Sequence, residues 1–348
     1  MKNCIALLLM LVHGLWSFAC TTFLLTKDGH HIFGRNYDWV TGNGMVMTNA
    51  RGLHKTGAKA GDGESFSWQS VYGSISFNQY GKEFPTGGMN EKGLVVELMW
   101  LDETAYPRPD KRPALRELQW IQYQLDCSST LEEVIQSDKD IRIWEKSVPI
   151  HFLISDASGK AASIEFLDGK MVVHKDQNLP FPVLSNSVYD QALQKTKESR
   201  ALVNEGRSSE QRFATACSMV QHYQQTDMQQ APVDYAFSIL NKVAQEDFTK
   251  WSIVYDITAR QVYFFTGQHQ ERKTFSFSDF DFSCKQPSKA FQMNSKASGN
   301  IAQLFTPLSP EQNRKLIEQS ARETKPVMDI SKESIEEAVR SYQLQDCK

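Results

Sequence analysis

Residue 20 is a cysteine placed where removal of a leader would make it the first residue of the chain. Residues 1–19 have the pattern of a secretory leader: Lys2, the apolar run Cys4-Ile5-Ala6-Leu7-Leu8-Leu9-Met10-Leu11-Val12, then Ser17-Phe18-Ala19, with small residues at the third and first positions before the cut. Cleavage after Ala19 leaves Cys20 with a thiol and a free α-amine, a nucleophile and a base on one residue. The amine has an unperturbed pKa of about 7.7–8.0 and the thiol of about 8.5. A modest downward push on either yields a thiolate and an amine able to shuttle its proton, the N-terminal version of nucleophilic catalysis. Two other readings compete: a lipid anchor acylated at Cys20, and a structural cysteine. A lipoprotein signal wants a branched aliphatic residue three positions before the cysteine, and that position is Ser17.

A cysteine nucleophile attacking an amide needs a group that tunes the thiol, one that positions the amine, donors for the oxyanion and a pocket for the acyl group. Gly34-Arg35-Asn36-Tyr37-Asp38-Trp39 supplies the first two candidates. A guanidinium at Arg35 favours thiolate, and a carboxylate at Asp38 can orient the amine by hydrogen bond. Alone, an Arg and an Asp three apart in a strand read as a surface pair.

The ordered set is more specific. Mature Cys20, Phe33-Gly34-Arg35-Asn36-Tyr37-Asp38-Trp39 and Gly88-Met89-Asn90-Glu91-Lys92-Gly93-Leu94 together resemble the choloylglycine hydrolases. Leu184-Ser185-Asn186-Ser187, Ser208-Ser209-Glu210-Gln211-Arg212-Phe213 and Val254-Tyr255-Asp256 with Tyr263-Phe264 continue the likeness. These are linear-amide C–N hydrolases that include bile salt hydrolases and penicillin V acylases. The resemblance spans nearly all of 20–285 and implies an α+β fold, the four-layer αββα sandwich of N-terminal nucleophile hydrolases.

By the same resemblance Cys20 is the nucleophile, and Arg35 and Asp38 hold and tune it. Asn186 is the side-chain oxyanion donor, and Arg212 completes the polar network. Trp100 falls at a position that contributes a backbone N–H to the oxyanion hole, where bile salt hydrolases usually have Asn. Trp39 and Trp100 resemble the Gram-negative branch, many of whose members favour aryl or fatty acyl amides; two indoles give flat apolar walls for such a group. The expected partner is a small N-acyl amide, with a steroid conjugate also open. An acyl-homoserine-lactone acylase or an acyltransferase would use the same residues, and a ligand-binding lipoprotein would carry its lipid on Cys20. The stretch from Asn186 to Arg212 lacks the longer insertion that knits a tetramer in the Gram-positive bile salt hydrolases. Assembly by that device is not implied, and a homo-oligomer stays open.

The elements that must position these residues are strands first. Residues 20–26 are β-branched and apolar, Lys27-Asp28-Gly29 forms a turn, and His30–Gly34 returns, placing Cys20 opposite the segment around Arg35. Further strands are expected at 71–77, 93–100, 150–154, 161–166 and 170–174, and a hairpin pairs 251–256 with 261–266. Helices are expected at 114–125 and 131–137, the second opening on a capping-box pattern at Ser129 or Thr130. More follow across 190–246 with breaks near Gly206 and Pro232, and at roughly 310–323 and 331–343. Strands cluster with strands, which argues for antiparallel sheets covered by helices. Residues 101–113, with Pro107, Pro109 and Pro113, read as a surface loop near the site. The expected organisation is a leader at 1–19 and one domain at 20–348 with a helical extension from about 286.

Losing nineteen of the 348 residues leaves 329, enough for a large core. Hydrophobic residues at 41% and charged residues at 23% argue against disorder. With Lys2 gone, 37 basic side chains face 41 acidic ones, so the balance near −4 gives no footprint for nucleic acid. No second apolar run approaches a membrane span, so no stable membrane association is expected and the mature protein reads as periplasmic or secreted. No cofactor is expected, nor a metal: the histidines are scattered apart from His30-His31, and no CxxC pair occurs. Cys127, Cys217, Cys284 and Cys347 allow three disulfide connectivities among which sequence does not choose, with free buried thiols equally open.

Overall fold

The turn between residues 27 and 30 sets the centre of the fold. In the computed structural model, which describes residues 20–61, 65–198, 207–227, 229–343 and 345–347, Asp28 and Gly29 both take positive φ, 51° and 78°. That is the conformation of a two-residue type I′ hairpin turn. It joins β1 (Thr21–Lys27) to β2 (His30–Asp38) with Thr22 against Arg35 and Thr21 against Asn36. The expected leader lies outside the described residues.

The chain continues through β3 (Met45–Asn49), β4 (Leu53–Thr56), β5 (Ser67–Gln69), β6 (Ser74–Asn78), β7 (Pro85–Asn90), β8 (Val95–Trp100) and β9 (Ala114–Leu115). Helices α1 (Glu117–Cys127) and α2 (Leu131–Gln136) follow, then β10 (Arg142–Ile143), β11 (Ile150–Ser155), β12 (Ala161–Leu167), β13 (Lys170–Lys175) and β14 (Val183–Leu184). Next come α3 (Tyr189–Glu198), α4 (Ser209–Gln225), α5 (Pro232–Lys242), β15 (Thr249–Asp256), β16 (Gln261–Thr266) and β17 (His269–Ser276). The last elements are β18 (Lys289–Gln292), β19 (Gly299–Asn300), β20 (Thr306–Pro307), α6 (Pro310–Thr324), α7 (Lys332–Gln343) and β21 (Gln345–Cys347).

Two sheets face each other. One runs β14-β1-β2-β15-β16-β17-β19, the other β13-β12-β11-β8-β7-β6-β3-β18-β20. Helices α4 and α5 cover the first across β1, β2 and β15, with α3 packed on α4, while α1 covers the second across β7 and β8. The layers are helix, sheet, sheet, helix, as the α+β sandwich requires. Phe77 of β6 meets Tyr255 of β15 edge-on at 6.0 Å between ring centroids, filling the gap between the sheets. A second apolar cluster, with Trp120, Ile121 and Leu125 of α1, lies between the other sheet and its helix.

The hairpin expected at 251–266 has the anticipated ends, Trp251 against Thr266 and Asp256 against Gln261. Several expectations need correction. Residues 114–116 are not helix: Ala114–Leu115 pairs with β10, and α1 begins at Glu117. Residues 101–113 are a mostly exposed loop, as expected, but it is anchored inward at Tyr106, whose hydroxyl donates to the Val148 carbonyl at 2.8 Å. The segment from 286 is more than helical, because β18 is an internal strand of the nine-stranded sheet, paired with β3 and β20. The break expected near Gly206 falls outside the described residues; Pro232 opens α5 at its first turn, where its missing N–H costs nothing. Cys284 and Cys347 form a disulfide, while Cys127 and Cys217 are free thiols. Among the described residues, no helix is long and apolar enough to cross a membrane.

Candidate active site

Strand alternation places the first residues. Thr22 donates to Met99 Sδ across the gap between the sheets at 3.3 Å, so Cys20, two positions earlier, belongs to the same face. Cys20 is 4% exposed, and its Sγ lies 3.8 Å from the Asp38 carbonyl oxygen at the end of β2. Thr21 points to the helical side and accepts from Arg212 of α4 at 2.6 Å. The same Arg212 nitrogen donates to the Cys20 carbonyl at 2.7 Å. Its other terminal nitrogen donates to Asn186 Oδ1 at 3.0 Å.

That last bond fixes the amide of Asn186, whose Nδ2 donates to the Trp100 carbonyl at 2.9 Å. Asn186 sits just after β14, in a loop gathered around the Ser209 hydroxyl, which accepts from the Asn186 N–H at 2.9 Å. Buried His151 holds the loop from the other side, its Nε2 2.7 Å from the Ser185 carbonyl and its Nδ1 3.1 Å from Glu165. The Trp100 backbone is oriented by its register. Trp100 faces Ile150 of β11, and the Leu101 N–H donates to the Pro149 carbonyl, so Trp100 is the non-hydrogen-bonded member of that pair. Its N–H therefore turns away from β11, to the side on which its own carbonyl meets Asn186.

Arg35 is fully buried and spans the two sheets. It forms an ion pair with Glu97 of β8 and donates to the Thr86 carbonyl of β7 at 3.0 Å and the Leu98 carbonyl at 3.3 Å. The Tyr37 ring covers it at 4.7 Å. Tyr255 of the opposite sheet donates to Glu97. Room for that carboxylate comes from Gly87, where a Cβ would sit 1.9 Å from Glu97 Oε2. Burial pushes the Glu97 carboxyl up to about 7 against the pull of Arg35 and Tyr255. Arg35 thus acts on the sulfur through its field, with both terminal nitrogens committed elsewhere.

The thiol corrects one expectation. Burial raises the Cys20 pKa above its ordinary value; Arg35 and Arg212 pull it down, Asp38 pushes it further up, and burial wins. The sulfur stays protonated near neutral pH and needs a base. Asp38 is buried too: Thr249 donates to its Oδ1, while its Oδ2 meets no hydrogen-bond partner among the described residues. Burial raises that carboxyl to about 6, against Arg212, Thr249 and Arg35. An orphaned acceptor of this kind suits an adjacent ammonium.

Cys20 opens into a cavity of about 360 Å³, with Trp39 and Trp100 on its walls, their ring centroids 6.0 Å apart and tilted by 32°. Trp39 Nε1 donates to the Tyr80 hydroxyl at 2.8 Å, and Trp100 Nε1 to Asp102 at 2.6 Å. Of the residues singled out in the sequence, Cys20, Asp38, Trp39 and Trp100 line this cavity, while Arg212 and Asn186 are bonded to Cys20 and Trp100 behind it and Arg35 acts on Cys20 through its charge. Sequence reading missed Glu97, Thr249, Tyr255 and His151. Glu97 had a signal, a carboxylate inside the apolar run Leu94–Trp100, which only a buried partner tolerates.

Comparison with known proteins identifies the family and the fold. The family signature of the linear amide C-N hydrolases, choloylglycine hydrolase family, matches residues 20–207. A penicillin V acylase of Pectobacterium atrosepticum is 33% identical over 198 residues, 51% of this chain and 52% of that protein. A bile salt hydrolase/transferase of Clostridium perfringens is 29% identical over 188 residues, 48% of this chain and 53% of that one. The chain thus spans about half the length of the curated relatives it matches. The structure of a penicillin V acylase from Agrobacterium tumefaciens superposes with a TM-score of 0.73 at 25% identity, over 84% of this chain and 98% of that one. Conjugated bile acid hydrolase of Clostridium perfringens shares the fold, with a TM-score of 0.69 at 18% identity, over 80% of this chain and 98% of its own.

Proposed function

This chain belongs to the linear amide C-N hydrolases, choloylglycine hydrolase family, and we propose that it cleaves the amide of an N-acylated small molecule through a thioester on Cys20. The observation that carries this is Arg212, which grips the Cys20 carbonyl with one nitrogen and aligns Asn186 with the other. The Cys20 α-amine, freed by removal of residues 1–19, takes the thiol proton as sulfur attacks the carbonyl carbon. Asp38 Oδ2 holds the resulting ammonium. The oxyanion receives the Trp100 N–H and the second hydrogen of Asn186 Nδ2. As the C–N bond breaks, the ammonium gives its proton to the departing amine. Water, deprotonated by the same amine, then cleaves the thioester to a carboxylic acid and regenerates the thiol.

The apolar cavity, with the paired indoles of Trp39 and Trp100 on its wall, suits an aryl-acyl or fatty acyl group. We place the mature protein in the periplasm or outside the cell, a reading that the Cys284–Cys347 disulfide supports, since such bonds persist in oxidising compartments.

The test is hydrolysis of a panel of N-acyl amides by material whose intact mass begins at Cys20. Cys20→Ser should be nearly inert, and Asn186→Ala should fold but lose roughly 10²–10³ in kcat. Full activity in Asn186→Ala removes that residue from the mechanism, and activity in a chain that keeps residues 1–19 removes the amine. A lipid adduct in the mass spectrum would favour an anchored binding protein. Hydroxylamine or amine acceptors outcompeting water would favour an acyltransferase, and turnover confined to acyl-homoserine lactones the lactone acylase.

A further inference from the structure

One wall of the cavity comes from a part of the chain beyond the match to the family signature, which ends at residue 207. Ile317 and Ala321 of α6, Met328 between the helices, and Ile335 and Ala338 of α7 line the same space as Cys20 and Trp100. These helices are fastened to the cavity rather than laid beside it. Ile317, Ala338 and Val339 form one apolar cluster with Ala58 and Phe84, against which Tyr80, Leu118 and Ile335 pack. The hydroxyls of Thr324 and Tyr80 lie 2.8 Å apart, and Tyr80 accepts the indole N–H of Trp39, so α6 is linked to the residue after Asp38. Arg116 pairs with Glu337 at 2.6 Å and donates to Ser334 at 3.3 Å, clasping α7 to the start of α1. Beyond α7, β21 pairs with β4, Gln345 donates to Glu83 at 2.6 Å, and Cys347 closes the disulfide to Cys284.

We propose that the segment Pro310–Gln343 is the acyl-length stop of this site, with Ile335 the side chain against which the end of the acyl group rests. The inference rests on the amidohydrolase reading above and adds the substrate class: amides of a flexible apolar acyl group, straight-chain or aryl-ended, whose length the two helices limit. At about 360 Å³ the cavity lies near the lower end of the ~300–1,000 Å³ usual for small-molecule sites. A fixed wall there discriminates by the methylene. Ile335 is the position to vary because it is partly buried and packs against the apolar cluster while facing the cavity.

The experiment takes the mature full-length protein and N-acyl glycines from butanoyl to hexadecanoyl, and reads the ratio of kcat/KM for each length to that for butanoyl. A ratio cancels loss of folded enzyme. One methylene of misfit in an apolar pocket changes discrimination by roughly 10–200-fold. Ile335→Trp should therefore lower the long-to-short ratio by about tenfold or more, and Ile335→Ala should raise it. Ratios that stay put in both variants, or move the same way in both, overturn the proposal. Binding of free fatty acids of the same lengths, followed by tryptophan fluorescence, provides an arm that needs no turnover. If the wild type cleaves none of these glycine amides, the wider amide panel decides the hydrolase reading and this arm alone decides the stop. Opposite shifts in the preferred fatty-acid length uphold the stop, and unchanged preferences in both variants refute it.

Discussion

Asp38 has one oxygen held by Thr249 and one without a partner among the described residues, in a pocket where burial lifts its carboxyl to about 6. The proposed mechanism needs that carboxylate charged, since it holds the ammonium formed when the thiol gives up its proton. Protonating Asp38 removes the charge, so kcat/KM should fall on the acid side near its pKa. The Thr249 hydroxyl stabilises the ionised form. Thr249→Val deletes that hydrogen bond, raises the Asp38 pKa further and should move the acid limb to higher pH. A pH–rate profile on both proteins checks this; a limb that stays or moves down shows that another group sets it. At this scale the sequence showed the residue types but not their partners. Arg35 and Asp38 stood out through the ordered set around them, whereas Thr249 lies 211 positions from Asp38 and is an ordinary strand residue until the fold closes.

Among the elements, β7 carries the clearest lesson. Its sequence, Pro85-Thr86-Gly87-Gly88-Met89-Asn90, has the composition of a loop, yet it is an internal strand between β6 and β8. The glycines are there because of what lies over them: Glu97 against Gly87, and the Ile75 carbonyl against Gly88. Nothing local to the strand announces this, which is why β7 was not legible while β1, β2, β15 and β16, with their β-branched runs and turn residues, were. Asn90 closes the strand by donating to the Leu125 and Ser128 carbonyls at the end of α1 and accepting from the Lys92 and Leu94 N–H groups. Gly87→Ala should force the Glu97 carboxylate off Arg35. We expect a loss of about 1–3 kcal/mol by the cost of overpacking, read by urea unfolding, together with a drop in kcat as Arg35 shifts beneath Cys20. Wild-type stability in Gly87→Ala would mean that the carboxylate has room to move.

Across the whole molecule, the C-terminal segment crosses back over the first half of the chain, and the Cys284–Cys347 bond locks residues 63 positions apart. Loop-closure entropy for a ring of that size is worth about 4 kcal/mol. The double variant Cys284→Ser/Cys347→Ser should unfold at lower denaturant, and its backbone amides in α7 should exchange faster than those of β1 and β2. Uniform acceleration across the chain would show that the bond stabilises the body and not the segment. The helices themselves were legible at roughly 310–323 and 331–343; their place on the cavity wall was not, because only tertiary packing brings residues 317 and 335 to residue 20. β1 also imposes an order of events. Residues 21 to 25 lie wholly in the interior, and the Cys20 carbonyl is already gripped by Arg212. On the proposal that residues 1–19 are removed, a peptidase, which works on exposed, pliant chain, would have to cut before Cys20 while this strand is still undocked. On that reading trimming would precede docking of β1, and a molecule that closed first would keep residues 1–19, lack the free α-amine and stay silent.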